Sequence, residues 1–279
     1  MELETQRRIR FKKFLAEEKI TKLTALPQNS GIGKLAGKGI RMNKNISVLI
    51  PTRKREKLCT KSILTLVEKC SSIENIEVIF GFDNDDEDTS TKVIHNISEK
   101  FPNLTLKYQY FDRKGYAGLN EYFDELIKLV DEDSDLILYW ADDFDIVTQG
   151  WDDILIQFHI DNIFGAYFFN ARHRGSRNKD PNFIIWALPK KWLELTKRLS
   201  AVNNTDSYIE YVARGASCIH VIDDITAYHD RDDNDETQRE TNAARKRINQ
   251  KGIFHSEKIQ KAIAIDAEKI RNYINTLKN

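Results

Sequence analysis

The sequence predicts an α/β fold in which a mostly parallel sheet is flanked by helices. Short apolar runs typical of buried strands alternate with stretches of helical periodicity through residues 46–140, which is the pattern of repeated β-α-β units. Polar or charged residues follow each run, so the carboxyl ends of the strands are predicted to converge on one crevice. The chain has 279 residues, of which 41% are hydrophobic, enough for one large domain with a substantial core.

Charge and cysteine usage limit the class of protein. Lysine and arginine together number 43, as do aspartate and glutamate, so the formal net charge is zero, and nucleic acid or an anionic membrane is not indicated as a partner. The three cysteines are widely spaced and suggest neither a disulfide framework nor a zinc site. No apolar run is long enough to span a bilayer, and the N-terminus has no apolar signal core. We therefore expect a soluble, cytoplasmic protein.

The first 44 residues differ from the rest in charge, with 11 basic and 4 acidic residues. Residues 1–25 have helical periodicity, which predicts a solvated helix packed on the main domain; a helix that docks on a membrane surface or a partner is the alternative. The glycine-rich stretch 31–39 lacks the spacing of a phosphate-binding loop, and no strand precedes it. We expect residues 1–44 to be a basic helical extension and linker.

The strands of the first half are predicted from their apolar runs at residues 46–50, 76–82, 104–110 and 136–140. Helical patterns separate them. The second half is less regular, with strands predicted at 164–170, 183–188 and 217–222, and helices at 151–158, 189–200 and 206–214.

The end of the chain is predicted to be a helical extension. An acidic loop follows His229, and the last helix places Ile259, Ile263, Ile270, Ile274 and Leu277 on one face, a stripe suited to docking on the main domain. The sequence therefore divides into the extension 1–44, a main domain 45–230, and an acidic loop with C-terminal helices, 231–279, that pack on it.

Three carboxylates, Asp142, Asp143 and Asp145, directly follow the strand predicted at 136–140. Burying carboxylates beside an apolar strand is costly unless a positive group neutralises them, and hard divalent cations prefer oxygen ligands. A cation here could bridge a diphosphate and stabilise charge on its departing oxygen. The alternative is an acidic surface loop, with Asp152 and Asp153 capping the next helix.

Other candidates follow the first two strands. Thr52, Arg53 and Arg55 could contact a nucleotide base or diphosphate, or could belong to a basic surface loop. Asp83 is the first residue beyond the second strand, where carboxylates of α/β nucleotide folds accept hydrogen bonds from hydroxyl groups; Asp85 is grouped with it. The alternative is a solvated acidic turn that caps the following helix.

Two later residues have ordinary explanations beside functional ones. His229 follows a strand and lies near acidic residues, so it could be a metal ligand or a structural histidine. Asp206 begins a predicted helix, where an N-cap is the default explanation.

Taken in order, these motifs resemble those of the GT-A glycosyltransferases, especially the family-2-like enzymes. The similarity covers roughly residues 45–230. The motifs that carry it are Val48-Leu-Ile-Pro-Thr-Arg53, Asp83, Gly115-Tyr-Ala-Gly-Leu-Asn120, the apolar strand with Asp142-Asp-Phe-Asp145, and Gly150-Trp151. Two features depart from the family pattern, because Gln149 replaces the usual proline and Asp206 lacks the glutamate that often precedes the catalytic aspartate.

The resemblance implies a role for each candidate. Asp143 and Asp145 would hold Mn²⁺ or Mg²⁺ on the donor diphosphate together with His229, and Asp142 is an alternative member of this set. Asp206 would be the base that takes a proton from the acceptor hydroxyl. The residues expected to bind the nucleotide are Thr52, Arg53, Arg55, Asp83, Asp85, Gly115, Asn120 and Asp142.

The expected function is metal-dependent transfer of a sugar from a nucleotide sugar, with a UDP-sugar as the expected donor, to an acceptor hydroxyl with inversion. The acceptor stays open: a glycan, a lipid-linked sugar, a protein or a modified nucleobase. One alternative is a metal-dependent nucleotidyltransferase, although the glycine-rich loop usual after the first strand of such enzymes is missing. The other is a catalytically inactive GT-A-like binding protein.

Overall fold

The computed structural model describes residues 45–162, 164–173, 184–230, 236–247 and 250–278, which all lie in one compact unit, Met42–Asn279. The predictions for residues 1–44, and for residues 231–235 of the acidic loop, lie outside the described residues. The strands are β1 Asn45–Thr52, β2 Ile76–Asp83, β3 Thr105–Phe111, β4 Ser134–Tyr139, β5 Phe144–Ile146, β6 Ala166–His173, β7 Trp186–Pro189 and β8 Ile219–His229. The helices are α1 Glu56–Glu68, α2 Glu87–Lys100, α3 Leu119–Leu126, α4 Trp151–Asp161, α5 Lys190–Thr196, α6 Thr205–Gly215, α7 Glu236–Arg247, α8 Gln250–Ile253 and α9 Glu257–Lys278.

One sheet of eight strands, in the order β3-β2-β1-β4-β7-β6-β8-β5, runs through these residues. The pairs β1–β2, β2–β3, β1–β4 and β6–β8 are parallel, whereas β4–β7, β6–β7 and β5–β8 are antiparallel. The prediction of an α/β fold with a mostly parallel sheet flanked by helices is confirmed. Each antiparallel pair includes at least one strand of the second half of the chain, where the sequence pattern was less regular.

Strand β2 is buried along its whole length and β1 is buried over residues 46–50, as expected for strands covered by helices on both faces. Strand β1 continues through Pro51 to Thr52, although proline has no N–H to donate to a sheet. Pairing with β4 already ends at Leu49, so Pro51 pairs only with Gly81 of β2. The predicted end of β1 at residue 50 was therefore two residues early.

Strand β8 is longer than the sequence predicted because it contains an irregularity. Phe169 of β6 pairs with Ile222, but the next residue, Asn170, pairs with Thr226, so three residues of β8 are left out of register. Beyond this bulge β8 resumes its pairing and continues to His229, which lies opposite Phe144 of β5. The bulge contains Asp223 and Asp224, whose charges ended the apolar run used to predict the strand.

Three residues at the start of α4, Gly150, Trp151 and Asp152, form hydrogen bonds with the end of α1 and with the connection from α1 to β2. Gly150 has φ of 72°, a conformation that glycine adopts without strain, and its N–H donates to the Lys69 carbonyl at 2.7 Å. Trp151 donates its indole N–H to the Leu66 carbonyl at 2.9 Å. The Asp152 carboxylate is fully buried and accepts a hydrogen bond from the Ser71 N–H at 2.6 Å. It accepts two more, from the Ser72 N–H and the Asn75 side-chain amide. The capping interpretation is thus wrong for Asp152, which anchors the α1–β2 connection.

Helix α9 contributes to the core beneath α6. Its predicted stripe is confirmed for Ile259, Ile263, Ile270 and Ile274, which are buried, whereas Leu277 is exposed. None of the helices in the described ranges combines the length and apolar character needed to cross a membrane.

A buried carboxylate also holds α9 in place. Asp266 is fully buried and accepts bonds from the Tyr208 hydroxyl of α6 at 2.6 Å and from Arg198 Nε at 3.0 Å. We expect Asp266→Ala to lower the free energy of unfolding by about 2–4 kcal/mol, because it leaves a buried hydroxyl and a half-buried guanidinium without their acceptor.

Urea denaturation measures this change, and Glu268→Ala, at an exposed position of the same helix, is the matched control. A loss below 1 kcal/mol, or equal losses in the two variants, would contradict the role assigned to Asp266.

Candidate active site

A cleft of about 310 Å³ opens at the carboxyl ends of β1, β2 and β4, where an open α/β sheet places its ligands. Helices α6 and α7 supply further parts of its wall. Nine of the residues selected from the sequence line it: Thr52, Arg53, Arg55, Asp83, Gly115, Asp142, Asp143, Asp206 and His229. Helix α7 lies in the extension predicted for residues 231–279, so that extension takes part in the cleft.

Asp142 and Asp143 occupy the turn after β4, and both are buried. The guanidinium of Arg55 lies 2.8 Å from Asp142 Oδ1 and 3.4 Å from Asp143 Oδ2, and the Thr52 hydroxyl donates to Asp142 Oδ2 at 2.8 Å. Burial nevertheless raises the pKa of Asp142, with the charge of Asp143 adding to this effect. The sequence indicated that two carboxylates beside a buried strand need a positive group. In this structure Arg55 is that group.

Asp143 also contacts His229. Because Phe144 pairs with His229 across the β5–β8 ladder, the preceding residue approaches the imidazole, and Asp143 Oδ2 lies 3.1 Å from His229 Nε2. Burial opposes the ionisation of Asp143, but the His229 hydrogen bond, together with the charges of His229 and Arg55, lowers its pKa below the ordinary value. His229 Nδ1 is buried and makes no hydrogen bond within the described residues.

Asp83 ends β2 on the other side of β1. It is buried, accepts a hydrogen bond from the Tyr122 hydroxyl, and lies 3.2 Å from Arg53 Nε. Burial raises the pKa of Asp83, and burial together with the Asp83 contact raises the pKa of Tyr122 to about 12. Gly115, with φ of 63°, forms the turn that precedes Tyr122 and α3, and a Cβ there would meet nothing within 4 Å. Glycine is favoured here by backbone conformation.

Three residues selected from the sequence are not among those that line the cleft: Asp85, Asn120 and Asp145. Asp85 is half-exposed and forms a salt bridge with Arg53 at 2.9 Å. Asp145 lies in β5 with its Oδ2 3.6 Å from Lys61 Nζ. Among the residues described, no group of three or more His, Cys, Asp or Glu side chains converges as a set of metal ligands. Asp143 lines the cleft and Asp145 does not, so the assignment of both carboxylates to one cation stays a prediction.

Asp206 lies in the first turn of α6 on the cleft wall. Its own carboxylate accepts the N–H of Ser207 at 2.8 Å. Burial raises the pKa of Tyr139 well above its ordinary value, and the charge of Asp206 is the next contribution, followed by those of Tyr116, Asp143 and Asp142. Tyr139 also lines the cleft, so the charges of Asp206 and of the acidic turn both act on its hydroxyl.

Sequence reasoning missed part of the cleft wall. The residues concerned are Arg113, Tyr116, Tyr122, Tyr139, Asn203, Asn204, Thr205, Glu240, Arg245 and Arg247. Most of them lie in segments that were assigned only as helices or turns. The basic end of α7, with Arg245, Lys246 and Arg247 in its last turn, is the one feature that could have indicated an anion-binding surface.

Comparison with solved structures finds chains with a similar fold. TarS of S. aureus, as residues 1–349, matches 84% of this chain and 91% of its own, with a TM-score of 0.55 and 13% identity. The mannosyltransferase PcManGT from Pyrobaculum calidifontis, in complex with GDP-Man and Mn²⁺, matches 84% of this chain and 87% of its own, with a TM-score of 0.53 and 11% identity.

A longer TarS structure matches at a TM-score of 0.54 and 15% identity over 76% of this chain, which covers 40% of that TarS chain. TarS 1–349 has also been solved with UDP and with UDP-GlcNAc. No protein-family model and no curated protein sequence matches the chain. The chain has the GT-A fold, as its sequence motifs predicted.

The contact between Arg55 and the two carboxylates gives a prediction for stability. Arg55→Gln should lower the free energy of unfolding by about 3 kcal/mol at pH 7, because it leaves two adjacent buried carboxylates without their cation. Since burial already raises the pKa of Asp142, protonation removes the penalty, and the deficit should shrink as the pH falls toward about 4.

Urea denaturation at several pH values measures the deficit. Lys57→Gln, at an exposed position of the same helix, removes an equal charge and is the control. A deficit that is independent of pH would mean that Arg55 acts by packing alone.

Proposed function

We propose that this chain is a glycosyltransferase that moves a sugar from a nucleoside-diphosphate sugar to an acceptor hydroxyl with the help of a divalent cation. The observation that carries the proposal is the contact between Asp143 and His229 in a cleft whose other walls hold Asp83 and Asp206. The GT-A fold adds to the argument, since GT-A structures similar to this chain bind UDP, UDP-GlcNAc and GDP-Man. A UDP-sugar is the first donor to test.

The chemistry of Asp143 and His229 fits a cation such as Mn²⁺ or Mg²⁺. Their oxygen and nitrogen are 3.1 Å apart, close to the roughly 3 Å between two adjacent ligands that each lie about 2.1 Å from one ion. The remaining ligands would come from the diphosphate and water, as is usual for cations that bind nucleotides. When bound, the cation would offset the negative charge of the diphosphate. We therefore assign this role to Asp143 and His229, and we leave Asp145 out of the proposed set because it does not line the cleft.

The residues of the cleft divide between the two substrates. Asp83 and Arg53 would bind the nucleoside, since Asp83 ends β2 where hydroxyl-binding carboxylates of α/β folds lie. Asp206 would accept the proton of the acceptor hydroxyl as its oxygen attacks the anomeric carbon. The bond from that carbon to the diphosphate breaks, and its electron pair leaves with the nucleoside diphosphate. Attack from the face opposite the leaving group inverts the anomeric configuration.

Donor binding gives the first test. A thermal-shift panel of UDP, UDP-GlcNAc, GDP and GDP-Man, with and without Mn²⁺, should contain a ligand that stabilises the protein more when Mn²⁺ is present, because a ligand of the native state raises its stability. Asp143→Asn should weaken this Mn²⁺-dependent binding at least about tenfold, the smallest effect expected even for the loss of an outer-shell partner.

Asp145→Asn is the matched control, two residues away and outside the cleft, and should bind like the wild type. Equal losses in both variants would contradict the assignment of the cation. Release of pyrophosphate from a nucleoside triphosphate, without transfer from any nucleotide sugar, would identify a nucleotidyltransferase instead. Binding without turnover of any donor would favour a binding protein.

The role of the base gives a second test. Asp206→Asn should lower kcat by about 10²–10⁴-fold and leave donor binding within about twofold of the wild type, since a general base acts only in the transition state. Initial rates of donor hydrolysis or transfer, with calorimetry of donor binding, separate the two effects. A kcat within threefold of the wild type would remove Asp206 from the mechanism.

A further inference from the structure

The cleft contains arginines that form no salt bridge with its own carboxylates. Five arginines line it: Arg53, Arg55, Arg113, Arg245 and Arg247. The first three are held by carboxylates, with Arg53 at 2.9 Å from Asp85, Arg55 at 2.8 Å from Asp142 and Arg113 at 2.7 Å from Glu240. Within the described part of the chain neither Arg245 nor Arg247 forms a salt bridge with a carboxylate, and Arg245 also stacks on a residue of the cleft wall. An arginine that faces a cleft and has no carboxylate partner is available to a ligand.

The surroundings of Arg245 fix its position. Its guanidinium lies over the ring of Tyr116, 4.9 Å from the ring centroid, a distance typical of a cation–π contact. Its Nε is buried and has no hydrogen-bond partner within the described residues. A buried donor without an acceptor is costly, and an anion in the cleft would satisfy it. The stack leaves the edge of the guanidinium, where its N–H groups lie, for such an anion.

Salt bridges hold α7 where Arg245 can act. Glu240 contacts Arg113 at 2.7 Å and Arg53 at 3.5 Å, and Glu236 contacts Lys54 at 2.8 Å. Five residues of this helix line the cleft, and four of them, Glu240, Thr241, Ala244 and Arg245, have the spacing of one helical face. The tethered helix therefore places Arg245 on the same side of the cleft as the loop after β1.

We propose that Arg245, held by Tyr116, binds the diphosphate of the donor. This inference rests on the proposed function. A planar guanidinium suits phosphate oxygens because it can donate two parallel hydrogen bonds. Tyr116 follows Gly115 in the turn before Tyr122, whose hydroxyl binds Asp83, so the stack belongs to the donor side of the cleft. A phosphate on the acceptor would offer the same oxygens, and the experiment below separates these two sources.

The test is isothermal titration calorimetry of UDP, UMP, GDP and GMP in the presence of Mn²⁺. Arg245→Gln should weaken binding of the better bound of UDP and GDP about tenfold or more, because it removes charge-assisted hydrogen bonds to phosphate. Binding of the matching monophosphate should change about threefold or less. Arg245→Lys keeps the charge but not the planar group and should fall between the wild type and Arg245→Gln.

Lys246→Gln is the matched control, with the same loss of charge at an exposed position of the same helix, and should bind both nucleotides within about twofold of the wild type. Equal weakening of diphosphate and monophosphate would show that Arg245 only positions α7, and would overturn the inference. Unchanged diphosphate binding in Arg245→Gln would also overturn it, and would leave the acceptor as the source of the anion. If the wild type binds none of the four nucleotides, the proposed function fails and this inference fails with it.

Discussion

The need to neutralise the carboxylates of Asp142 and Asp143 governs the arrangement of this cleft. Both side chains are buried directly after the apolar run of β4, where an uncompensated charge would cost several kcal/mol. Arg55 and His229 supply the compensation, and they come from distant parts of the chain, the start of α1 and the end of β8. The acidic turn therefore requires the first β-α unit and the last strand of the sheet to be assembled around it. Its geometry depends on the whole fold.

The contact between Asp143 and His229 also depends on the register of the short strand β5. Phe144 lies opposite His229, and its ring contacts the Tyr139, Trp140 and His229 rings at centroid distances of 5.2–6.3 Å. A shift of one residue would move Phe144 out of the core and separate His229 from Asp143. The hydroxyl of Ser62 supports the same strand, because it donates to the Phe144 carbonyl at 2.5 Å and accepts from the indole of Trp140. Hydrophobic packing thus sets the distance between two polar groups of the cleft.

The sequence predicted the first half of the fold well because three of its four strands, β1, β2 and β4, are mostly buried and read as continuous apolar runs. It did not predict β5, which has three residues, or the second half of β8, where Asp223 and Asp224 interrupt the pattern at a bulge. The pairing of Asp145 with Asp143 came from the resemblance to the GT-A motif and not from a strand pattern. Asp143 lies in the turn before β5, whereas Asp145 lies in the strand itself. The contacts of α7 with the cleft depend on long-range packing, which a sequence pattern does not show. The basic residues in the last turn of α7 were the one sign of them in the sequence.

The balance of charge in the cleft has a consequence for any anionic ligand. Five arginines and five carboxylate residues, Asp83, Asp142, Asp143, Asp206 and Glu240, line it together with His229. Internal pairs keep opposite charges about 3 Å apart and spare the empty protein the repulsion of like charges. The same pairs leave little positive charge for a diphosphate, because an arginine already bound to a carboxylate attracts an anion less strongly. A phosphate group that enters this cleft therefore needs a cation, or an arginine that the carboxylates do not hold, such as Arg245. Both would be met at surfaces that the long-range packing of β8 and α7 has placed there.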